Sequence, residues 1–475
     1  MNLRLRLRLA VVVLAAVVST VAVATRLAGQ SAPAAPPAPA GVNGLALDIF
    51  RQLVDINTTE SSGGSTKAAE AVAARLIAAG FPRADVQVLG PNPRKQNVVA
   101  RYRGTGAARP LLLLGHLDVV EARREDWSLD PFTFVERDGY FYGRGTSDMK
   151  DMDASWIANL IELKRQGYRP NRDIILALTA DEEDGDANGA EWLLRTHRDL
   201  VDAALALNEG GGGQIKDGRY VANNVQAAEK VYQSFALEVH NKGGHSALPS
   251  KDNAIYRLAA GLTRLSSFDF PIRLNDVTRT YFERMSRVEK GELARDMAAA
   301  AATPPDMAAA NRLAQSVYYN ALMRTTCVPT LLRGGHAENA LPQLARAVVN
   351  CRMLPDDTTE NVRQTLVRVL ADSQIDVTPV AKAKPGPASP LSPDVMRALD
   401  WVTDGMWPGV PVVPVMGTGA TDGKWFRMAG IPTYGLGAFE NVDDVRAHGR
   451  DERIGVRQFY EEREFLYRLI KALTE

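Results

Sequence analysis

Cysteine is nearly absent from this chain. Two residues, Cys327 and Cys351, among 475 exclude a disulfide framework and a thiolate metal site. Both fall in stretches that read as strands, 325–332 and 345–354. Pairing in an oxidising compartment and two separate buried thiols are therefore both open readings. Net charge is missing too. Lys and Arg number 56 and Asp and Glu 56, so no basic field advertises nucleic acid. There are no internal repeats and no heptads. The Gly-rich stretches 210–213 and 417–419 lack a following Lys-Ser/Thr or the Gly-x-Gly-x-x-Gly spacing, which argues for turns rather than phosphate cradles.

What is present is the make-up of a globular protein, 45% apolar and 24% charged. The length implies about two or three domains. Residues 1–28 read as an export signal. Arg4, Arg6 and Arg8 precede an apolar stretch, 9–24, and Ala22-Val23-Ala24 fits the small-x-small cleavage rule. Cleavage is the expectation, with an uncleaved membrane anchor as the alternative because the apolar stretch is only slightly short of a span. No cysteine follows it, which argues against a bacterial lipid anchor. Residues 29–41, rich in Pro and Ala, form a tether.

From 42 to 227 short apolar strands alternate with helical patterns. Helices are expected over 45–54, 65–79 and 188–197, and strands over 85–89, 97–102, 111–114, 173–178 and 203–207. This alternation predicts a largely parallel, doubly wound sheet. Between 228 and 380 the rhythm changes. The stretch 231–239 alternates like a half-solvated antiparallel strand. Helical patterns at 254–265, 283–319 and 359–371 and strands at 325–332 and 345–354 complete a smaller α+β block inserted into the first. From 381 to 475 the strands 412–415 and 432–436 resume the parallel pattern, and an amphipathic helix, 459–473, closes the chain.

Candidate ligands gather at expected strand ends. The buried run 111–114 leads into Gly115-His116-Leu117-Asp118, and the His-x-Asp spacing puts both side chains on one face of a strand. Asp118 could then accept the second imidazole N–H of His116 and fix its tautomer. Asp148 follows a Gly-rich turn, Glu182 and Glu183 follow 173–178, and Glu209 follows 203–207. A late histidine, His448, completes the set. Oxygen and imidazole donors suit zinc or a similar divalent ion. Two cations could share a bridging carboxylate, with His116, Asp148 and Glu209 on one and Asp148, Glu183 and His448 on the other. Glu182 would then be left over as a proton carrier between water and a leaving amine. His197, His240 and His336 read as solvated.

The motifs GHLDVV (115–120), GRGTSDMK (143–150), TADEE (179–183), NEGGG (208–212), KGGHSALP (242–249), AENALP (337–342), NCRMLP (350–355), GTGATDG (417–423) and HGRDERI (448–454) resemble the di-zinc metallopeptidase family. That family includes glutamate carboxypeptidase, aminoacylase-1, succinyl-diaminopimelate desuccinylase and carnosinase. The resemblance runs in order over 45–475. It implies an α/β catalytic domain with a doubly wound mixed sheet and a di-metal site, interrupted by a smaller α+β lid and dimerisation domain. It gives Asp148 the bridging role, Glu182 the general acid/base role, and His116, Glu183, Glu209 and His448 the terminal ligand roles. The resemblance has Asp118 support His116, His245 of the lid polarise the scissile carbonyl from the partner subunit, and Arg352 and Asn339 grip the substrate. It also implies a cis peptide between Asp148 and Met149.

Glu209, where dipeptidase relatives often carry Asp, and the helical addition at 283–320 are closest to the carboxypeptidase S and N-acyl-amino-acid hydrolase branch. The expected enzyme is an exported hydrolase, periplasmic or secreted. It holds two divalent ions, zinc by expectation with cobalt serving in vitro. It releases an amino acid with a free carboxylate from a small peptide or N-acyl amino acid, which Arg352 would pair bidentately. A dipeptidase or aminopeptidase is the alternative. A non-catalytic binding domain on the same scaffold would be expected to have lost a ligand or the base, and none is lost here. No nucleic acid is expected as a partner, and a membrane only through an uncleaved N-terminal segment.

Overall fold

The computed structural model describes residues 40–475, apart from Ser62 and Asp184. The signal segment expected at 1–28 and nearly all of the tether lie outside the described residues. Among the described residues no helix is long and apolar enough to cross a membrane.

The strand Ala108–His116 lies in the middle of a 10-stranded mixed sheet. It pairs in parallel with Arg172–Thr179 on one side and Leu205–Glu209 on the other. Thr433–Leu436 continues the parallel order beyond Leu205–Glu209. Lys95–Tyr102 and Val86–Asn92 add antiparallel strands at the opposite edge. The continuous apolar run 111–114 is explained by burial on both faces. Leu111 and Leu113 join the larger apolar cluster with Trp156, Ile157 and Phe465 of the helices Lys150–Arg165 and Val456–Thr474. Leu112 and Leu114 point the other way, into a cluster with Leu193, Trp425 and Phe426. Alternation with period two divides one strand between two helix layers.

The sheet extends further than the sequence suggests. A hairpin of Gly212–Lys216 and Arg219–Glu229 joins it, and Arg219–Glu229 pairs in parallel with Val412–Gly417. Asn223, Gln226 and Glu229 are buried polar residues in this strand, which hides its period. The helix Pro393–Met406, with Pro at its first turn, is also absent from the sequence-based expectation.

A second, antiparallel sheet runs in the order Thr326–Gly334, Leu344–Met353, Val231–His240, Asp376–Pro379. Phe235, Leu237 and Val239 face its core with the helices Ala254–Ser266 and Thr359–Leu370, matching the alternation read at 231–239. Cys327 and Cys351 stand directly opposite each other in register and form a disulfide, which resolves the two readings of these residues. The helical stretch at 283–319 is four short helices, Asp276–Met285, Gly291–Ala301, Met307–Leu313 and Val317–Met323. Thr303-Pro304 and Gly291 interrupt it, since neither proline nor a residue at φ 69° continues an α-helix. Expected with the smaller block, these helices bury Tyr281, Phe282 and Met297 against Val413 and Val415 of the large sheet.

Candidate metal centre and active site

The parallel strands end together, and the candidate ligands follow directly. His116 is the last residue of its strand and lies in register with Thr179, two residues before the acidic loop. Glu209 ends its own strand beside Leu436. Gly115 is required where it stands, because a Cβ there would come within 2.2 Å of Asp153 Oδ1. Asp148 comes from the turn before Lys150–Arg165, and the Asp148–Met149 peptide is cis, as the resemblance implies. Glu452 holds that turn in place, accepting Ser147 N–H at 2.9 Å and Arg144 Nη1 at 2.6 Å. Lys150 Nζ fastens it from the other side, donating to the carbonyls of Leu53 and Ile56 at 2.9 and 3.0 Å. His448 arrives in a left-handed conformation, φ 62°, which is uncommon for a residue with a side chain and concentrates at functional sites.

Asp148 spans the two imidazoles. Its Oδ1 lies 3.2 Å from His116 Nε2 and its Oδ2 3.0 Å from His448 Nε2. Glu183 Oε1 is 2.9 Å from His448 Nε2, and Glu209 Oε1 is 3.7 Å from His116 Nε2. Ligand atoms of His116, Asp148 and Glu183 lie within 4.8 Å of one another, and so do those of His116, Glu182 and Glu209. Glu182 therefore stands at the centre itself. The structure brings together all five expected ligands and Glu182.

Electrostatics show what such a cluster lacks. Burial pushes the Glu182 and Glu209 carboxyls well above the usual range, with neighbouring carboxylates adding to it. Burial would also raise Asp148, but hydrogen bonds from His116 and His448 outweigh it and hold this carboxyl low. Hydrogen bonds to Asp148 and Glu183 lift His448 to about 10. Among the described residues no Lys or Arg pairs with Asp148, Glu182, Glu183 or Glu209. Half-buried acids without a cationic partner, joined by two imidazoles and no sulfur, fit divalent cations.

The expectation for Asp118 needs correction. His116 Nδ1 contacts the Asp118 backbone carbonyl at 3.0 Å, whereas the carboxylate is 3.9 Å away. The carboxylate instead accepts the backbone N–H groups of Glu182 and Glu183 at 3.1 and 3.0 Å. The physical reason is competition: two convergent amide donors outbid one imidazole that a carbonyl already satisfies.

The lid residues stand apart. His245 is exposed in a two-stranded ribbon, opposite Ala340, with Nδ1 accepting Ala247 N–H at 3.1 Å. Asn339 is exposed beside it, its carbonyl accepting Ser246 N–H. Among the described residues no hydrogen bond or ion pair links either to the His116–His448 cluster. Arg352 lies over the Tyr232 ring at 4.9 Å and lines a cavity of about 610 Å³ that reaches His448. His448 also borders a second cavity, of about 330 Å³, with Glu60, Lys95, Asp118, Glu121 and Glu183.

Sequence reasoning missed Asp422, Glu229 and Glu452. Asp422 accepts Thr179 Oγ1 at 2.7 Å and Asn188 Nδ2 at 2.6 Å, tying the strand end before Glu182 to the helix behind it. Glu229 accepts Thr421 Oγ1 at 2.6 Å. Asp422 and Glu452 lie inside the motifs 417–423 and 448–454, so the signal was there without an assigned role.

Residues 112–472 match the model of Peptidase family M20/M25/M40. An N-fatty-acyl-amino acid synthase/hydrolase, PM20D1 of Xenopus tropicalis, is 30% identical over 355 residues, covering 73% of this chain and 69% of that protein. The M20 family metallo-carboxypeptidase Sso-CP2 of Sulfolobus solfataricus superposes with a TM-score of 0.65 at 17% identity, covering 90% and 98% of the two chains. The Bacillus subtilis YXEP protein, described as a dinuclear metal binding peptidase of the M20 family, gives 0.59 at 11% identity, covering 91% and 98%. The doubly wound sheet, the acids gathered at its strand ends and the family match over 112–472 agree: the chain belongs to peptidase family M20/M25/M40 and is a hydrolytic enzyme of that family, acting on peptide-type C–N bonds.

Proposed function

We propose that this enzyme hydrolyses the amide of N-acyl amino acids or C-terminal peptide bonds, releasing an amino acid with a free α-carboxylate. In this reading it is a two-metal enzyme with zinc. His116, Asp148 and Glu209 hold one ion, Asp148, Glu183 and His448 the other, and Asp148 bridges them. When bound, the pair supplies Lewis-acid activation of water and of the scissile carbonyl. Glu182 takes a proton from water and returns it to the leaving nitrogen, a task that suits a carboxylate within 4.8 Å of the ligand atoms of His116 and Glu209. Asp118 orients Glu182 through the backbone. Arg352 binds the substrate carboxylate, with Asn339 beside it, and His245 donates to the oxyanion.

The observation that carries this reading is the position of His448 between two unlike cavities. The larger holds Arg352 and is cationic. The smaller is lined by acids, but Glu60 is paired with Lys95 and Glu121 accepts Ser61 N–H and Oγ at 2.8 Å each. With those acids engaged, the smaller cavity suits an acyl group better than the free ammonium a dipeptidase would recognise. The relatives' names, an N-fatty-acyl-amino acid synthase/hydrolase and a metallo-carboxypeptidase, agree with it.

Three further assignments belong to the same proposal. The chain divides into a catalytic domain, 42–227 with 381–475, and an inserted block, 228–380, whose antiparallel sheet forms the lid while its helices 276–323 pack on the catalytic sheet. The lid pairs two copies into a homodimer, which its edge strand Thr326–Gly334 supports through exposed Val328, Leu331 and Leu332. The protein is exported, periplasmic or secreted, which the Cys327–Cys351 disulfide supports.

The test is a stripped and reloaded enzyme. After chelation, zinc or cobalt should restore hydrolysis of N-acetyl amino acids, and blocking the α-carboxylate as an amide should abolish it. A zinc-loaded enzyme that prefers unblocked dipeptides, or ignores the carboxylate, sinks the reading.

A further inference from the structure

The 610 Å³ cavity carries more positive charge than one carboxylate requires. Lys230, Arg352, Lys382, Lys384, Lys424 and Arg427 line it against one acid, Glu229. Three of these cations are engaged. Lys230 Nζ donates to the carbonyls of Ala321 and Arg324 at 2.9 and 2.8 Å. Arg427 pairs with Glu229 at 2.5 Å, both buried. Lys384 pairs with Glu191 at 3.2 Å and lies over Trp425 at 4.2 Å.

Arg352, Lys382 and Lys424 are left, and among the described residues none of them has a carboxylate within ion-pair distance. Lys424 is half-buried, 5.5 Å from the centre of the Trp425 ring. It follows Asp422, which accepts Thr179 Oγ1 at the strand end before Glu182, and shares the cavity wall with His448, so it sits at the reacting end of the cleft, whereas Arg352 belongs to the antiparallel sheet on the lid side. A cleft that loses water on closing strengthens repulsion among unpaired like charges, and anions placed among them relieve it. One α-carboxylate answers Arg352. Lys424 and Lys382 remain without a counter-charge.

We propose that this cavity is a dicarboxylate subsite: with the α-carboxylate on Arg352, Lys424 and Lys382 take a second carboxylate, carried by the side chain of the leaving amino acid. The inference rests on the hydrolase reading above and specifies its substrate, an N-acyl or C-terminal glutamate or aspartate. The same anionic chemistry could instead come from the acyl side, as in a succinyl group, and the test separates the two.

The metal-loaded enzyme is assayed with N-acetylglutamate, with N-acetylglutamine of the same shape and no second charge, and with N-succinyl- against N-acetylleucine. The glutamate-to-glutamine ratio of kcat/KM should be about tenfold or more, as a charge-assisted contact allows. It should fall towards one in Lys424→Met and fall partly in Lys382→Met, a change on an exposed loop. Binding of N-acetylglutamate and N-acetylglutamine to the Glu182→Gln protein, followed by calorimetry, should give the same ratio without turnover. Equal handling of the two ligands overturns the proposal. So does a preference for the succinyl arm, or a ratio that survives both lysine substitutions. If no N-acyl amino acid is hydrolysed, the parent reading fails, and calorimetry alone decides the subsite: tighter binding of the glutamate ligand upholds it, equal binding removes it.

Discussion

The Asp118 carboxylate accepts the backbone N–H of Glu182 at 3.1 Å, and its other oxygen accepts that of Glu183 at 3.0 Å. One side chain at the end of one strand thus aims two acids at the end of the next. Asp118→Asn replaces one acceptor with an NH2 group facing an N–H. Turnover should fall about 10–100-fold, the usual cost of losing an orienting partner, with metal content retained. Unchanged kcat in a metal-replete Asn variant would remove this role.

Glu182→Gln tests the proton carrier. The amide keeps the shape but accepts no proton, so kcat should drop by roughly three orders of magnitude or more while fold and metal content persist. Near-normal turnover with both metals bound would require another base.

The exposed His245, in a ribbon that among the described residues has no polar link to the His116–His448 cluster, suits action in the partner's active site. His245→Ala and Glu182→Gln should each be nearly inactive. Mixing them should restore activity, because one of the two sites in a mixed dimer has neither defect. No recovery after proven subunit exchange would rule out action in trans.

Stability should fall as pH rises, and a buried acid pair is one reason. Burial, helped by Glu440, raises Glu462 from 4.5 to about 8, while a hydrogen bond from Asp151 opposes it. The folded state then keeps a proton that the unfolded chain releases near 4.5. The unfolded state binds fewer protons between about 4.5 and 8, so unfolding becomes easier across that window. Burial raises Glu440 to about 7 in the same direction. Glu462→Gln should flatten the decline in urea midpoint between pH 5 and 8.5. Parallel curves for the two proteins would show that Glu462 titrates normally.

The Cys327–Cys351 bridge closes a short loop, with a sequence separation of 24. The chain-entropy relation assigns such a loop about 3.5 kcal/mol. Replacing both residues with Ala should lower the denaturant stability of the antiparallel sheet region by that order. Two reactive thiols in unreduced, denatured protein would contradict the bridge.

Much of the candidate site was legible because metal-ligand chemistry restricts residue type at positions that sheet topology also restricts. The apolar run 111–114 read as a strand covered on both faces, and it delivers His116 to the strand end where Glu183 and Glu209 also arrive. Elements with polar burial were not legible. Asn223, Gln226 and Glu229 look like loop residues until Asn223 donates to Thr403, Gln226 donates to Glu229, and Thr421 and Arg427 pair with Glu229, which is why the strand Arg219–Glu229 went unseen. Asp118 was expected to accept from His116 and instead accepts from two backbone amides, because spacing reports a shared face and not which donor lies closer.

The sequence by itself determined the mixed α/β class, the acid and imidazole set and the family resemblance, since each depends on residue type and on order along the chain. Only the tertiary structure decided that Cys327 meets Cys351, that the helices 276–323 pack on the large sheet, and that Lys424 and Arg352 line one cavity. Those facts depend on distances between segments far apart in the chain, and such distances are set by how the two sheets and their helices pack together.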